Sequence, residues 1–334
     1  MSFVHLHTHS EFSLLDGASR IADMVRTAAE TGMPAMALTD HGVLYGAIEF
    51  YSQAKAAGIK PILGQEVYVA TRSYSQKEGR ADRDPHHLIL LVKNLAGYRN
   101  LIMLSSIAHL EGYYYRPRID KELLARHHEG LIALSACLGG EVASRLLEGD
   151  AAAAEQAALE YQRIFGEDYF LEIQDHGMPD QARVNEGLEA LSRKTGIPLV
   201  ATNDSHYTRK EDAEAHDILL CLQTGTVVSD PKRMRFHNDE FYLKSPEEMA
   251  GQFSGYPEAV ANTLRIAERC DLKFDNHPLL PSFEVPAGES ADGYLRRLAG
   301  EGLRRRYPEI TPVIQERFET ELSVIQEMGY AAYF

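Results

Sequence analysis

Two pairs of side chains in the sequence are spaced so that each pair could bind one metal ion. His7 and His9 form an HxH pair, and Asp204 and His206 form a DxH pair. Residues two apart on a β-strand point to the same face, so both members of a pair can reach the same ion. Imidazole and carboxylate ligands together suit zinc, manganese or iron. The spacing therefore indicates a metal site, although a single HxH pair is more often incidental than functional.

The complete set of candidate ligands is larger than these two pairs and contains five imidazoles, three carboxylates and one thiol. They are His7, His9, Asp16, His41, Glu66, His87, Cys137, Asp204 and His206. A lone cysteine is most often a small buried apolar group, but a thiolate among such neighbours favours zinc. Nine donors exceed what one tetrahedral ion can use, so two or three ions bridged by a carboxylate are expected. Clustered divalent ions suit phosphoester hydrolysis, because they activate water and hold the phosphate oxygens.

The elements that must position these ligands alternate between short apolar strands and longer helical segments. The predicted strands are Phe3–His7, Ala35–Thr39, Pro61–Ala70, His87–Val92, Leu131–Ser135, Tyr169–Ile173 and Pro198–Thr202. The predicted helices between them are Arg20–Thr31, Gly46–Ala57, Ala96–Leu110, Ala151–Phe165 and Asp180–Thr195. This alternation predicts a parallel sheet, either open or closed into a barrel. Neither GxGxxG nor GxxxxGK[ST] occurs, which favours the barrel.

Most of the candidate ligands follow predicted strands, and in a barrel the active site lies at the C-terminal ends of the strands. Two positions fit this rule poorly. Glu66 lies in the middle of a predicted strand, and His87 lies at the start of one. We attribute both to errors of a few residues in the predicted boundaries.

Composition narrows the class of protein. The chain has 334 residues, of which 44% are hydrophobic, and it contains no apolar run long enough to cross a membrane. Three widely spaced cysteines argue against a disulfide framework, so a soluble cytoplasmic protein without a membrane partner is expected. The formal charge of −15 predicts weak intrinsic binding to nucleic acid, unless metal ions or another domain supply the attraction.

The pattern changes near the end of the chain. Two further helices, Asp292–Tyr307 and Thr311–Met328, are rich in Glu and Arg. We place a domain boundary near residue 280, which separates residues 1–280 from residues 281–334. The chain ends at Tyr333 and Phe334 without a terminal cap or polar tail, which is typical of a truncated chain.

Several segments resemble the PHP (polymerase and histidinol phosphatase) domain family. They include HLHTHSEFSLLDG, ALTDHGVLYGAIEFY, AGIKPILGQEVYV, HHLILLVKNLAGYRNL, LIALSACLGGEV and VATNDSHY. Other segments, among them YYYRPRID, DEFYLKSPEEM and EMGYAAYF, are similar to the branch of that family found at the N-terminus of bacterial DNA polymerase III α subunits. The likeness extends over essentially the whole chain.

The resemblance implies a distorted seven-stranded (β/α)7 TIM-like barrel over residues 1–280. A small, mainly helical segment follows, residues 281–334, in which the linker and the start of the polymerase palm region would lie. The family's nine ligand positions fall on the nine side chains named above, and the implied cofactor is Zn²⁺, two to three ions, with Mn²⁺ as an alternative. By the family pattern the ligand groups are His7, His9 and Asp204; His87 and Cys137; and Asp16, His41 and His206, with Glu66 as a bridge between two ions.

The resemblance also implies an activity and partners. The activity is a metal-dependent 3′–5′ exonuclease or phosphodiesterase that proofreads the 3′ end of a DNA primer, with Asp204, His9 and Glu66 as catalytic residues. The partner is the rest of a replicative polymerase chain, whose palm carboxylates would lie beyond residue 334. The fragment itself is therefore not expected to polymerise DNA.

Two alternatives remain open at the level of the sequence. In the first, the metals only stabilise a scaffold that docks a separate proofreading exonuclease subunit and the polymerase core. The acidic charge favours this reading. In the second, the chain is a stand-alone PHP phosphatase of the histidinol phosphatase type, against which the last 50 or so residues argue.

Two groups of residues near the predicted strands could assist the site. Arg116 and Arg118 could reach a substrate phosphate, although ordinary surface arginines are as good an interpretation. His176, together with Glu172 and Asp175, could support the ligands from behind.

Overall fold

The computed structural model describes residues 2–79, 82–274, 281 and 283–334. The chain divides into two compact units, Met1–Lys273 and Phe274–Phe334. The first unit is a distorted (β/α) barrel, as predicted, and the second carries two helices. The predicted boundary near residue 280 lies outside the described residues.

Seven strands form one sheet in the described part of the first unit. They are β1 (Ala35–Leu38), β2 (Lys60–Val69), β3 (His86–Val92), β4 (Arg118–Ile119), β5 (Leu131–Leu134), β6 (Tyr169–Gln174) and β7 (Leu199–Thr202). The order across the sheet is β1-β2-β3-β5-β6-β7, and β4 pairs with β2 on the side. Six of the predicted strands are thus present, and β4 was not predicted.

The helices lie mostly between the strands, as the alternation predicted. In the first unit they are α1 (Ile21–Glu30), α2 (Ala47–Ala56), α3 (Leu95–Leu110), α4 (Lys121–Arg126), α5 (Glu141–Leu147), α6 (Ala151–Phe165), α7 (Pro179–Thr195), α8 (Ala213–Thr224), α9 (Pro246–Gln252) and α10 (Pro257–Arg269). The second unit contains α11 (Ala291–Arg306) and α12 (Pro312–Glu327). No helix within the described ranges is long and apolar enough to span a bilayer.

The direction of β3 differs from the prediction of a wholly parallel sheet. β3 pairs antiparallel with both β2 and β5, whereas β1–β2, β5–β6 and β6–β7 are parallel. A parallel arrangement of neighbouring strands needs a crossover connection, which is usually an α-helix. The described residues between β2 and β3 form no α-helix, in agreement with the antiparallel pairing. The sheet is therefore mixed, and the prediction was wrong at this strand.

The first predicted strand, Phe3–His7, is not a regular strand, yet it closes the barrel. The N–H of Ala37 donates to the carbonyl of His5 at 2.8 Å on the β1 side. On the β7 side the N–H of His9 donates to the carbonyl of Ser205 at 2.8 Å, and the N–H of Ser205 donates to the carbonyl of His7 at 3.3 Å. Both edges of the sheet are thus joined through this segment, which carries the HxH pair.

The interior of the barrel is apolar and fully buried. Its side chains include Val4, Leu6, Ile89, Ile132, Leu134 and Val200. Burying one such aliphatic side chain contributes about 1.5–3 kcal/mol relative to leaving it exposed. This apolar core packs between the strands that carry or precede the candidate ligands, and it stabilises the positions of those strands.

Local signals account for the ends of several helices. Gly32, Gly58 and Gly196 follow α1, α2 and α7 with φ values of 71°, 75° and 77°, the left-handed region that suits glycine. α1 buries Ile21, Met24, Val25 and Ala28 on a single face, the spacing of an amphipathic helix.

Candidate metal centre

The nine candidate ligands converge at one end of the barrel, and the direction of β3 and the length of β2 explain the two that seemed misplaced. Because β3 runs antiparallel to its neighbours, its first residues lie beside the C-terminal ends of the parallel strands. His87 at the start of β3 therefore belongs to the same end as Asp204, which follows β7. Glu66 lies inside the long strand β2 and forms a parallel bridge with His41, which brings it to the same end.

The first group of donors consists of His7, His9, Glu66 and Asp204, all buried, with ligand atoms within 4.8 Å of one another. His7 Nε2 lies 3.0 Å from Glu66 Oε2 and 3.1 Å from Asp204 Oδ1. His9 Nε2 lies 3.1 Å and 3.2 Å from the same two oxygens. Two imidazole nitrogens and two carboxylate oxygens thus surround one point, which fits a tetrahedral ion.

The second group shares Glu66 with the first and adds His87 and Cys137. The other carboxylate oxygen, Glu66 Oε1, contacts His87 Nδ1, and Cys137 Sγ lies 3.7 Å from the same nitrogen. Glu66 therefore faces two groups of donors through two different oxygens, the arrangement that a bridging carboxylate requires.

The third group consists of His9, His41 and His206, whose ligand atoms also lie within 4.8 Å of one another. Asp16 adjoins it, since its Oδ1 lies 3.2 Å from His41 Nε2 and its Oδ2 lies 3.9 Å from His206 Nε2. The structure thus brings all nine predicted ligands together. His9 stands between the first and third groups.

Hydrogen bonds at the outer ring nitrogens aim three of the histidines at the cluster. His7 Nδ1 donates to Glu172 Oε1 at 2.7 Å, His9 Nδ1 donates to Ser13 Oγ at 3.0 Å, and His206 Nδ1 donates to the backbone carbonyl of Asp204 at 2.9 Å. Fixing a proton on Nδ1 leaves Nε2 with its lone pair toward the interior, which is the form that binds a metal.

Asp40 does not join the cluster but holds the loop that carries the HxH pair. Its Oδ1 accepts from the N–H of Ser10 at 2.7 Å and from Ser13 Oγ at 2.8 Å, and its Oδ2 accepts from Ser10 Oγ at 2.8 Å. Because the hydroxyl of Ser13 donates its hydrogen bond to Asp40, the Ser13 oxygen can accept a hydrogen bond from His9 Nδ1. The roles of Asp40 and Ser13 were not predicted from the sequence, in which the adjacency of Asp40 to His41 is the signal for them.

The buried charges of the cluster shift the pKa values of its members in opposite directions. Burial alone would lower the pKa of His9, but the carboxylates of Asp204 and Glu66 outweigh burial and raise the pKa to about 9. Burial would raise the pKa of Glu66, yet His87 and His41 hold it well below its usual range. Burial lowers the pKa of His206 to about 4, so this ring stays neutral.

The donor set fits a metal cluster. Asp16 Oδ1, Glu66 Oε1 and Asp204 Oδ1 are buried oxygens without a hydrogen-bond donor in the described part of the structure. An unpaired buried carboxylate oxygen is costly, and a cation is the group that removes the cost. Histidine nitrogens, a thiol sulfur and carboxylate oxygens in this mixture match the ligands of zinc.

The three supporting residues named from the sequence behave differently from one another. Glu172 is buried and orients His7, as described above. His176 is buried but turns away from the cluster, because its Nε2 donates to the carbonyl of Asn203 at 2.7 Å and its ring stacks on Phe241 at 3.9 Å. Asp175 Oδ1 accepts from the N–H of Gly177, and in the described part of the chain its side chain forms no hydrogen bond or ion pair with a candidate ligand.

The two arginines of the YYYRPRID segment are placed in opposite ways. Arg118 is fully buried in β4, where four of its N–H groups donate to the carbonyls of Gly112, Asp82, Tyr74 and Gln76 at 2.8–3.1 Å. It anchors the connection between β2 and β3, so the expectation that it reaches a substrate phosphate was wrong.

Arg116, two residues earlier, remains a candidate for phosphate binding. It is partly exposed, and its guanidinium lies 5.6 Å from the centre of the Tyr68 ring. That ring in turn lies 5.3 Å from the ring of His87 and 6.3 Å from the ring of His41. Arg116 is therefore a cation at the edge of the ligand cluster.

Comparison with known proteins agrees with this arrangement. The family model described as the PHP domain matches residues 5–176, which is more than half of the chain and includes seven of the nine candidate ligands. The chain therefore belongs to the PHP domain family.

Relatives of known name place the chain more narrowly. It is 50% identical over 338 residues to the DNA polymerase III subunit alpha of Treponema pallidum, a match that covers 100% of this chain and 29% of that protein. It is 48% identical over 337 residues to the DNA polymerase III subunit alpha of Borreliella burgdorferi, covering 99% of this chain and 29% of that protein. The chain thus spans 29% of the length of these relatives.

Among solved structures, a putative metal-dependent phosphoesterase from Bifidobacterium adolescentis superposes with a TM-score of 0.38 at 14% identity. The superposition covers 75% of this chain and 96% of that one and is too loose to support a conclusion about this chain.

Proposed function

We propose that this chain is the N-terminal PHP domain of a bacterial DNA polymerase III α subunit and that it hydrolyses phosphodiester bonds at the 3′ end of a DNA primer. Residues 1–280 would form the metal-binding barrel, and residues 281–334 would lead into the polymerase palm. The similarity to DNA polymerase III α subunits over the whole chain supports the polymerase context. The proposed cofactor is two to three Zn²⁺ ions, with Mn²⁺ as an alternative.

One observation carries the proposal of hydrolysis, namely the position of Glu66 between two groups of donors. Its Oε2 faces His7 and His9, and its Oε1 faces His87. Two-metal sites that hydrolyse phosphate esters hold their ions about 3.5–4 Å apart, and a shared carboxylate sets such a distance. A site with a purely structural role needs only one closed tetrahedral ion.

The residues of the chain would divide the work of hydrolysis among them. Divalent ions held here would activate a water molecule and neutralise charge on the phosphate oxygens. Asp204, His9 and Glu66 would hold the ions nearest the scissile bond. Glu172 keeps His7 in the tautomer that presents Nε2. Arg116, at the edge of the cluster, would bind a phosphate oxygen of the substrate.

A scaffold role is the second candidate, and the formal charge of −15 favours it. A chain of that charge repels a nucleic-acid backbone unless cations offset it. In this case the metals would stabilise the barrel, and proofreading would fall to a separate exonuclease subunit docked on the surface. The stand-alone phosphatase reading is disfavoured by the similarity of the last 50 or so residues to polymerase chains.

The test compares metal content with trimming of DNA. Metal ions bound to the purified chain are counted by mass spectrometry, and a single-stranded oligonucleotide labelled at its 5′ end is incubated with the chain before and after chelation. Asp204→Asn removes a central carboxylate, and Asp180→Asn makes the same change at an exposed position on α7 as the control.

The proposal expects chelator-sensitive shortening from the 3′ end that Asp204→Asn abolishes and Asp180→Asn leaves unchanged. Bound metal without any shortening would support the scaffold role instead. Shortening that survives Asp204→Asn would show that the nuclease activity belongs to another site or to a contaminant.

A further inference from the structure

A cavity of about 300 Å³ opens directly beside the ligand cluster. Three candidate ligands, Cys137, Asp204 and His206, belong to its lining. Phe241 and residues 234–237, which we call the MRFH segment after its sequence, line it as well. Ligand pockets begin at about this volume, and they combine apolar walls with a few polar groups.

The MRFH segment is held in place by contacts just before and just after it. Arg233 donates through two nitrogens to both carboxylate oxygens of Asp217 on α8, each at 2.5 Å, and its Nε donates to the carbonyl of Val228 at 3.1 Å. On the other side, the side-chain amide of Asn238 donates to the carbonyl of His176. The segment is therefore held by side-chain hydrogen bonds of the residues on both of its flanks.

Phe236 presents a fixed aromatic ring within the cavity. Its centroid lies 4.9 Å from that of His206, 4.6 Å from that of His216 and 4.5 Å from that of Phe241, all in T-shaped geometry. These contacts orient the ring without covering it completely, since Phe236 stays partly exposed. An aromatic ring at such a position is a platform on which a nucleobase can stack.

Arg235 is the charged group of the same segment, and it differs from its neighbour Arg233. Arg233 is fully engaged by Asp217, whereas Arg235 is exposed and makes no ion pair or hydrogen bond with any residue that the structure describes. A guanidinium can bind a phosphate through two parallel hydrogen bonds. The cavity thus combines an aromatic ring and a cation next to the candidate metal ligands.

We propose that this cavity is a nucleotide subsite, which receives the nucleotide joined to the phosphate at the metal centre. Phe236 would stack on its base, and Arg235 would bind a phosphate oxygen. The inference rests on the proposed phosphodiester hydrolysis, and it adds that the substrate is recognised by its nucleoside part as well as by its phosphate. No residue of the MRFH segment was a candidate from the sequence.

Binding measurements test the subsite without any need for turnover. The metal-loaded full chain is titrated calorimetrically with deoxythymidine 5′-monophosphate and, separately, with inorganic phosphate. Arg235→Gln removes the cation, and Phe236→Leu removes the aromatic face but keeps an apolar side chain against His206. Arg99→Gln is the matched control, because Arg99 is also exposed but lies on α3.

The two variants should differ in a characteristic way. Arg235→Gln should weaken the binding of both probes by about tenfold, the value of one charge-assisted hydrogen bond. Phe236→Leu should weaken the nucleotide by about tenfold and leave phosphate unchanged, because only the nucleotide has a base to stack. Metal content, measured on each variant, should stay at the wild-type value.

Equal affinity for deoxythymidine monophosphate in wild type, Arg235→Gln and Phe236→Leu would overturn the subsite. If wild type binds neither probe, the subsite is likewise overturned.

A comparison of two chromogenic diesters separates the subsite from the proposed function. The p-nitrophenyl ester of thymidine 5′-monophosphate carries a nucleoside, and bis(p-nitrophenyl) phosphate does not. Phe236→Leu should raise KM only on the nucleoside substrate, whereas Arg235→Gln should raise KM on both diesters, because both carry the phosphate that Arg235 binds. Hydrolysis of both diesters at wild-type rates in both variants would refute the subsite and leave hydrolysis standing. Variant-sensitive nucleotide binding without any hydrolysis would refute the hydrolytic function and leave the subsite standing.

Discussion

Glu172→Gln should weaken metal binding at the group that contains His7, although Glu172 is not itself a candidate ligand. Its side chain is fully buried, and Oε1 accepts hydrogen bonds from His7 Nδ1 at 2.7 Å, from Gln174 Nε2 at 2.9 Å and from Thr202 Oγ1. Glutamine keeps the shape and can still accept through its oxygen. The substitution therefore removes the negative charge, and it places the amide nitrogen where Glu172 Oε2 has no hydrogen-bond partner among the described residues.

The size of the effect follows from that change in charge. A hydrogen bond to an ionised acceptor contributes about 1.5–3 kcal/mol, and a neutral one about 0.5–1.5 kcal/mol. The difference of roughly 1–1.5 kcal/mol corresponds to about a tenfold loss of metal affinity. Measured losses at residues that orient metal-binding histidines run from about 10-fold to 100-fold, so the estimate lies at the lower end of that range.

The assay is a competition for Zn²⁺ between the chain and a chromophoric chelator, run on wild type and variant at the same pH. Asp168→Asn is the matched control, because it makes the same carboxylate-to-amide change in a partly buried residue that pairs with Lys93 and Arg269. It should lower thermal stability without changing the affinity for Zn²⁺. If Glu172→Gln binds every ion as tightly as wild type does, either His7 is not a ligand or Glu172 does not orient it.

Three further predictions concern stability, metal removal and pH. Arg118→Met should lower the free energy of unfolding, measured by urea titration, by about 3 kcal/mol or more, because it leaves buried carbonyls without donors. A change below about 1 kcal/mol would contradict the anchoring role. Chelation should lower the melting temperature by roughly 10 °C, since one ion at a thousandfold excess over its Kd contributes about 4 kcal/mol to the free energy of unfolding. An unchanged melting curve would argue against bound metal. Zn²⁺ affinity should rise with pH toward 9, because the pKa of His9 is raised to about 9 and its proton must leave before Nε2 can bind. Calorimetry in two buffers of different ionisation enthalpy should then reveal proton release, and a pH-independent affinity would exclude His9 as a ligand.

The strands and the candidate ligands were readable from the sequence because they depend on local patterns. Short apolar runs marked six of the seven strands, and the glycines after α1, α2 and α7 marked where those helices end. The ligand positions followed from residue type and from the HxH and DxH spacing. Each of these signals spans only a few consecutive residues, so no information about contacts distant in sequence was needed.

The direction of β3 and the role of β4 could not be read in the same way. Strand direction depends on how the chain returns between β2 and β3, and the sequence of that connection carries no periodic pattern. β4 has only two residues, too short to show alternation. The poor fit of His87 followed from the first of these points, since an antiparallel β3 places its first residues beside the ends of the other strands. Glu66 fitted poorly because β2 continues beyond its pairing with β1 to the same end of the barrel.

The supporting contacts depend on tertiary structure and were missed for that reason. Asp40 reaches back to Ser10 and Ser13, some 30 residues away along the chain, and Arg118 reaches Asp82. An arginine in a loop-like sequence looks exposed until the carbonyls around it are known. The MRFH segment likewise lines the same cavity as Asp204 and His206, and the neighbouring Arg233 pairs with Asp217 on α8, which are contacts between residues distant in sequence.

The central claim is that Glu66 joins two ions at the end of the barrel. Anomalous X-ray scattering at the zinc absorption edge, from crystals of the metal-loaded chain, tests it most directly. Two anomalous peaks should flank Glu66, one beside His7 and Asp204 and the other beside His87 and Cys137. A single peak on one side of Glu66, or none within reach of its oxygens, would contradict the claim and with it the two-ion chemistry proposed for this site.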